Sequence, residues 1–279
     1  MANDDGDRES APPTRPLPAP IPPQVAVRYL DGAWPGVMAP GRNLPDSAVL
    51  SGVVNDLCGP ITDLLTSTSL LADDLEALPP ATRSVVQLIQ WRSLLLQSRS
   101  ENLSCAAAVW DGRFQIHPQR VDLLEIIHEV RLAVEPALGQ RGRGLEVIGD
   151  GGDVYADARR FAQTLVNLIL NARQHGGERD SIAVRLSARD ANLRVAVVDR
   201  GSGIARERVP GLFELIHQPL SSIASGRITL GLAVVRAITE AHGGRVGARN
   251  RRGGGACVWF ELPGIVGPAG GATIAATPS

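Results

Sequence analysis

The sequence predicts an α+β protein in which an antiparallel helical hairpin precedes an α/β sandwich. Three observations predict it. A long stretch almost free of turn residues carries apolar side chains at helical spacing, and a Pro-Pro turn divides it. After about residue 111, short strand-like runs alternate with amphipathic helical runs.

The hairpin is assigned to residues 46–106. Leu50, Val54, Leu57, Ile61, Leu64, Thr68, Leu71, Leu75 and Leu78 follow one another at steps of four and three. That is an a/d seam with one polar interruption, at Thr68. After Leu78-Pro79-Pro80 a second helix is marked by Val85, Leu88, Ile89, Trp91 and Leu95. Helices joined by so short a turn pack antiparallel. A lone hairpin cannot bury both seams, so a second copy is expected, giving a dimeric four-helix bundle. Each buried Leu contributes about 1.5–3 kcal/mol, enough for the seam to hold the dimer. The alternative is that the hairpin packs on the rest of its own chain.

The sandwich is assigned to residues 111–264. "VDLLEIIHEVRLAVEPAL" reads as an amphipathic helix and "GLEVIGD" as a strand. "ADARRFAQTLVNLILNARQHGG" reads as a helix capped near Asp157 and stopped by Gly. "SIAVRLSARDANLRVAVVDRG" reads as two strands across a polar turn, "LGLAVVRAITEAHGG" as a helix ending on Gly, and "GRVGARNRRGGGACVWFELP" as a hairpin. Residues 1–45, with "APPTRPLPAPIPP", read as a disordered or polyproline arm, and 265–279 as a disordered tail.

Composition narrows the function classes. Over 279 residues the formal charge is −1, so there is no polybasic footprint for nucleic acid or a membrane surface. All 28 basic residues are arginine, read here as codon bias, and no lysine is present to hold a phosphate. Cys58, Cys105 and Cys257 are too widely spaced for a zinc site, which suits a reduced, cytoplasmic setting. Neither a signal segment nor an apolar run of about 20 residues is seen.

Three stretches concentrate chemistry. Asn167 and Asn171 sit at i and i+4, so their amides leave one helix face while Leu165, Leu168, Ile169 and Ala172 line the other. Two amide oxygens one turn apart suit Mg²⁺, although a solvated pair of asparagines reads the same way. "VVDRGSGI" ends an apolar strand in Asp199, followed by Gly201 and Gly203. A buried carboxylate there can accept from the exocyclic amine of adenine and reject the carbonyl of guanine. "GRITLGLAVV" leads into a helix N-terminus at Leu230-Gly231-Leu232, a ready anion site.

In this order the three stretches resemble the nucleotide-binding boxes of sensor histidine kinases. Asn167 and Asn171 match the N box, Asp199, Gly201 and Gly203 the first glycine box, "LFELI" at 212–216 the Phe motif, and Leu230-Gly231-Leu232 the second glycine box. The resemblance spans roughly residues 46–263. It implies the Bergerat (GHKL) ATP-binding fold that these kinases share with type II topoisomerases, Hsp90 chaperones and MutL proteins. It implies ATP and Mg²⁺ as cofactors, with Asn171 and Asn167 on the metal, Asp199 on adenine, and a lid over 205–230. It also implies two-component signalling, with a homodimer or a heterodimer with an orthodox kinase and a response regulator as partner; the composition adds the expectation of no nucleic acid or membrane partner. The chain departs from the family's pattern at Thr229, Gln174 and Gly255-Ala256.

A further departure falls on the hairpin. Where the family carries His-Glu/Asp-Leu-x-x-Pro, the chain reads Asn55-Asp56-Leu57-Cys58-Gly59-Pro60. Asp56 fills the acid/base position, but Asn55 stands at the phosphoacceptor histidine. A carboxamide nitrogen has its lone pair delocalised into the carbonyl and is no useful nucleophile. His117, His128, His175, His217 and His242 all follow the hairpin. The expectation is a degenerate kinase acting through a partner. The alternatives are an active kinase with another acceptor and a non-catalytic module that sequesters a response regulator.

Overall fold

The computed structural model describes residues 60, 63–64, 66–67, 78–138, 144–149, 151–176, 182–189, 192–214 and 230–266. Asn55, Asp56, most of the first hairpin helix, residues 215–229 of the expected lid, the N-terminal arm and the tail from 267 lie outside them.

Helix α1 spans Pro80–Trp110, 31 residues or about 46 Å. Pro80 opens it because the first helical N–H needs no partner and proline presets φ. Its inward stripe is Val86, Gln90, Leu94, Ser98, Asn102 and Cys105, at steps of four and three, with Ser93 buried beside it. This stripe packs on the sandwich of its own chain, through helices α2 (Leu123–Leu138), α3 (Ala158–His175) and α4 (Leu230–Ala241). Val85 (55% exposed), Leu88 (53%), Ile89 and Leu96 remain on the opposite side. The second hairpin helix is therefore apolar on two faces, one of which its own chain covers.

A five-stranded sheet has the order β2-β4-β5-β7-β6, from strands Leu145–Ile148, Ile182–Arg189, Asn192–Val198, Ala256–Pro263 and Arg245–Asn250. Only β2 and β4 run parallel. On the inner face Val184, Val197 and Val258 form one cross-strand row, and Leu186, Val195 and Phe260 the next. Helices α2, α3 and α4 cover this face, and Phe260 meets Phe161 of α3 edge-on at 5.2 Å. On the outer face Trp259 lies on Gly247, where a Cβ would come within 2.2 Å of the indole. The Arg194 guanidinium covers the indole at 4.2 Å, and Glu261 bridges Arg194 and Arg245.

A second sheet is small, with β1 (Gln119–Asp122), β3 (Asp153–Ala156) and β8 (Ile265–Val266) in the order β1-β3-β8. Two sequence expectations are corrected here. Val121 and Asp122 belong to β1 rather than to the following helix, and the Asp122 carboxylate caps that helix by accepting from the Leu124 N–H at 2.7 Å. Ile265 and Val266, expected in the tail, pair with β3. Among the described residues no helix is long and apolar enough to cross a membrane.

His242 fixes the helix layer. The imidazole is buried just after α4, donates from Nδ1 to the Ile238 carbonyl (2.8 Å), and accepts at Nε2 from the Asp157 N–H (3.0 Å). Asp157 is the N-cap of α3, accepting from the Arg160 N–H at 3.1 Å. Burial holds the His242 pKa below its ordinary value, and the two hydrogen bonds define the neutral tautomer.

Candidate nucleotide site

The site begins at the C-terminal end of β5. Asp199 is 6% exposed. Its Oδ1 accepts from the backbone N–H groups of Gly201 (2.9 Å) and Ala256 (3.0 Å). Its Oδ2 accepts no hydrogen bond from any described residue. A buried carboxylate with one locked and one open oxygen is an acceptor for a donor from outside the protein.

The surrounding glycines explain why backbone can close on this carboxylate. A Cβ on Gly201 would lie 2.2 Å from the His175 carbonyl oxygen, because the loop crosses the end of α3 there. Gly255 has φ +83°, and a Cβ on it would lie 2.1 Å from the Asp199 carbonyl oxygen. Gly203 has φ +78° and sits beside Asn250, whose amide exchanges two 2.7 Å bonds with the backbone of Ile204. Phe213 of the Phe motif is buried in the main core.

Further back along α3, the two asparagines have different surroundings. The Asn171 side chain makes no hydrogen bond with the described residues and is half-buried. Asn167 is 6% exposed and faces α1, not solvent as a polar face would require. Its Oδ1 accepts from Asn102 Nδ2 (2.7 Å) and Ser98 Oγ (3.0 Å), and its Nδ2 donates to Asn102 Oδ1 (2.8 Å). Gln163 Nε2 donates to the same Asn102 oxygen at 3.1 Å, and Arg160 Nη1 holds Gln163 Oε1 at 3.0 Å. A cation–π contact seats α1 farther along, Arg173 over Trp91 (4.9 Å), and Arg160 covers Phe114 in the segment that follows α1 (5.0 Å).

Gly231 lies where the start of α4 meets this network. A Cβ on it would be 3.1 Å from Asn167 Oδ1 and 3.5 Å from Asn102 Nδ2. Leu230 opens α4, and Leu232 is a core residue. The fold thus sets Gly231 against Asn167, with Asn171 one turn on along α3 and Asp199 and Gly201 past the end of that helix. Ser98, Asn102 and Gln163 were not singled out by sequence reasoning. Their polarity on an inward helical stripe was the available signal.

Tested against a nucleotide, the residues fit. Asp199 Oδ2 is an open acceptor, the glycines admit backbone approach, and the first turn of α4 presents N–H groups. For a hard cation, the Asn171 amide oxygen has no hydrogen-bond partner among the described residues, whereas both lone pairs of Asn167 Oδ1 are used.

Residues 156–265 match the family of histidine kinase-, DNA gyrase B- and HSP90-like ATPases, a span holding nearly all of the site just described. The chain is 30% identical over 182 residues to the adaptive-response sensory kinase SasA of Prochlorococcus marinus, covering 63% of this chain and 47% of the relative. It is 28% identical over 228 residues to the sensor protein KdpD of Escherichia coli, covering 81% of this chain and 25% of the relative. With the sensory/regulatory protein RpfC of Xanthomonas campestris it shares 34% identity over 227 residues, 77% of this chain and 30% of that one. The crystal structure of full-length ShkA in complex with AMPPNP has the same fold, with a TM-score of 0.53 and 24% identity over 79% of this chain and 46% of that one. Residues 156–265 form an ATPase domain of the histidine kinase type, and the chain around it is similar to sensor kinases. The chain spans about half or less of the length of these curated relatives.

Proposed function

We propose that the chain binds ATP with Mg²⁺ and acts in two-component signalling as a degenerate histidine kinase. The observation that carries nucleotide binding is Asp199, with Oδ1 locked by two backbone donors and Oδ2 open. That oxygen accepts the adenine amine, and the glycines at 201, 203 and 255 let backbone close on the base. The N–H groups opening α4 at Leu230 and Gly231 face the phosphates. Asn171 would hold the metal, joined by Asn167 when its oxygen is free. Mg²⁺ would supply charge neutralisation between phosphate oxygens.

Asn55 supports the degenerate reading. It stands at the phosphoacceptor position with Asp56 beside it, and an amide does not take a phosphoryl group. In this reading the hairpin pairs with a second hairpin, from another copy or an orthodox kinase, and docks a response regulator. Val85, Leu88, Ile89 and Leu96, outward on α1, are the apolar surface available for that pairing.

The test is incubation with γ-labelled ATP and Mg²⁺ beside Asn55→His. A blank native chain and a labelled Asn55→His chain are expected. Acid-labile label on the native chain would mean an active kinase with another acceptor. No nucleotide bound by either chain would leave the sequestering module.

A further inference from the structure

The geometry points to an amide clasp, Asn102 to Asn167, that holds α1 on the ATPase domain and must open for the metal to be fully bound, so that metal-nucleotide binding and α1 docking oppose each other. This rests on the ATP reading above and concerns the regulation of that same site.

Three observations converge. The first is occupancy. Asn167 Oδ1 has two lone pairs, and Asn102 Nδ2 and Ser98 Oγ fill them at 2.7 and 3.0 Å. A cation cannot use that oxygen until one donor leaves. The second is space. The start of α4 already touches the pair, since a single carbon added at Gly231 would meet both Asn167 Oδ1 and Asn102 Nδ2. With α1 seated, Asn167 Oδ1 is hemmed in by Asn102, Ser98 and the backbone at Gly231, which leaves no room beside it for a cation. The third is the construction of the network. Asn102 is 4% exposed, and its amide takes two bonds at oxygen, from Asn167 and Gln163, and gives two from nitrogen, to Asn167 and Ser98. A buried network satisfied on every atom has two good states, fully made or fully exchanged, and the intermediate is costly.

The clasp therefore separates two parts of nucleotide binding. The adenine end, at Asp199, is open while α1 is docked. The metal end is complete only after α1 gives up Asn167. By linkage, whatever draws α1 away raises affinity for the metal-nucleotide, and the metal-nucleotide loosens α1 by the same factor. Because α1 is the second helix of the hairpin, the site would report its occupancy to the hairpin without chemistry on it.

The full chain is titrated with a fluorescent ATP analogue, in Mg²⁺ and in EDTA, as native protein and as Asn102→Ala. Hydrogen–deuterium exchange is followed over residues 94–107. In EDTA the two proteins are expected to bind alike. In Mg²⁺ the variant is expected to bind about tenfold tighter than the native chain, the scale of one or two neutral hydrogen bonds exchanged. In the native chain, analogue with Mg²⁺ is expected to speed exchange over 98–107, and analogue with EDTA to leave it unchanged. Protection retained in β5 and β7 reports that the variant is folded, and if it is not, the native exchange arm decides alone. Equal Mg²⁺ responses with unchanged exchange would overturn the clasp and leave the ATP reading intact. Absence of binding under both conditions would overturn the ATP reading and the clasp with it.

Discussion

Replacing Asp199 by asparagine isolates the contact proposed to read adenine. In the native chain Oδ1 accepts from Gly201 N at 2.9 Å and Ala256 N at 3.0 Å. These two donors fix which way the new amide sits. Turned one way, its oxygen keeps both bonds. Turned the other, its NH₂ meets two N–H groups. The oxygen therefore stays at Oδ1, and NH₂ replaces the open Oδ2. An adenine amine would then face a donor instead of an acceptor. A hydrogen bond to a charged group is worth about 1.5–3 kcal/mol, so ATP affinity should fall by about 10- to 150-fold. Stability should fall by only about 1 kcal/mol, because both backbone bonds survive in neutral form. The sharper consequence is a change of preference. A purine with a 6-oxo group, as in ITP, presents an acceptor to the new NH₂ and should lose less than ATP or gain. Titrations of both proteins with ATP and ITP, beside thermal unfolding, test this. A folded Asp199→Asn chain that binds ATP as well as the native one would sink the assignment of Asp199 to the base.

Four further outcomes follow from the packing. Gly255→Ala combines a φ of +83° with a Cβ 2.1 Å from the Asp199 carbonyl oxygen, whereas Gly253→Ala, at φ +94°, meets nothing within 4 Å. Urea denaturation should show the first costing about 3 kcal/mol and the second about 1–2 kcal/mol. His242 has a folded pKa held below its unfolded value of 6.5, so the unfolded chain takes up the proton first. Its stabilisation is complete above pH 6.5 and lost as pH falls below it, and His242→Gln should flatten the urea midpoint over that window. Glu261 acts in a separate, lower window: burial pushes its pKa up, but the bonds from Arg194 and Arg245 outweigh this and hold it below 4.5, so its contribution is lost only below that pH. Cys105 is buried and its thiol is pushed up to about 11, so mass spectrometry should find it unlabelled by iodoacetamide at pH 8 until the chain is unfolded.

The legible parts of this chain are those whose signals are local. Asp157 marks the start of α3 because a cap acts within one turn. The alternation in "LRVAVV" announces β5, and D-x-G-x-G places the carboxylate and its turn together. The illegible parts depend on distant partners. Asn102 and Asn167 are 65 residues apart, and neither residue alone reveals a reciprocal amide pair. Spacing put Asn167 and Asn171 on one helix face, but could not say that another helix would cover only the first. The strand at Val121–Asp122 exists because β3 lies beside it, and its sequence continues smoothly into an amphipathic helix. Similarly, the apolar residues of α1 are rich enough to suggest burial on every side, and the assignment of Leu94 inward and Leu88 outward came only with the packing.

The bridge from His242 to Asp157 joins the end of α4 to the beginning of α3. Asn167 and Gly231 meet at the other end of this helix pair. The two helices are thus like the legs of a pair of tweezers, riveted by a buried ring at one end and meeting at the other where a glycine lets the backbone approach an amide. Were the pair to widen between Asn167 and Gly231 with the His242 bridge intact, that bridge would be the pivot. Protonating that ring would break the rivet, because Nε2 could no longer accept from the Asp157 N–H.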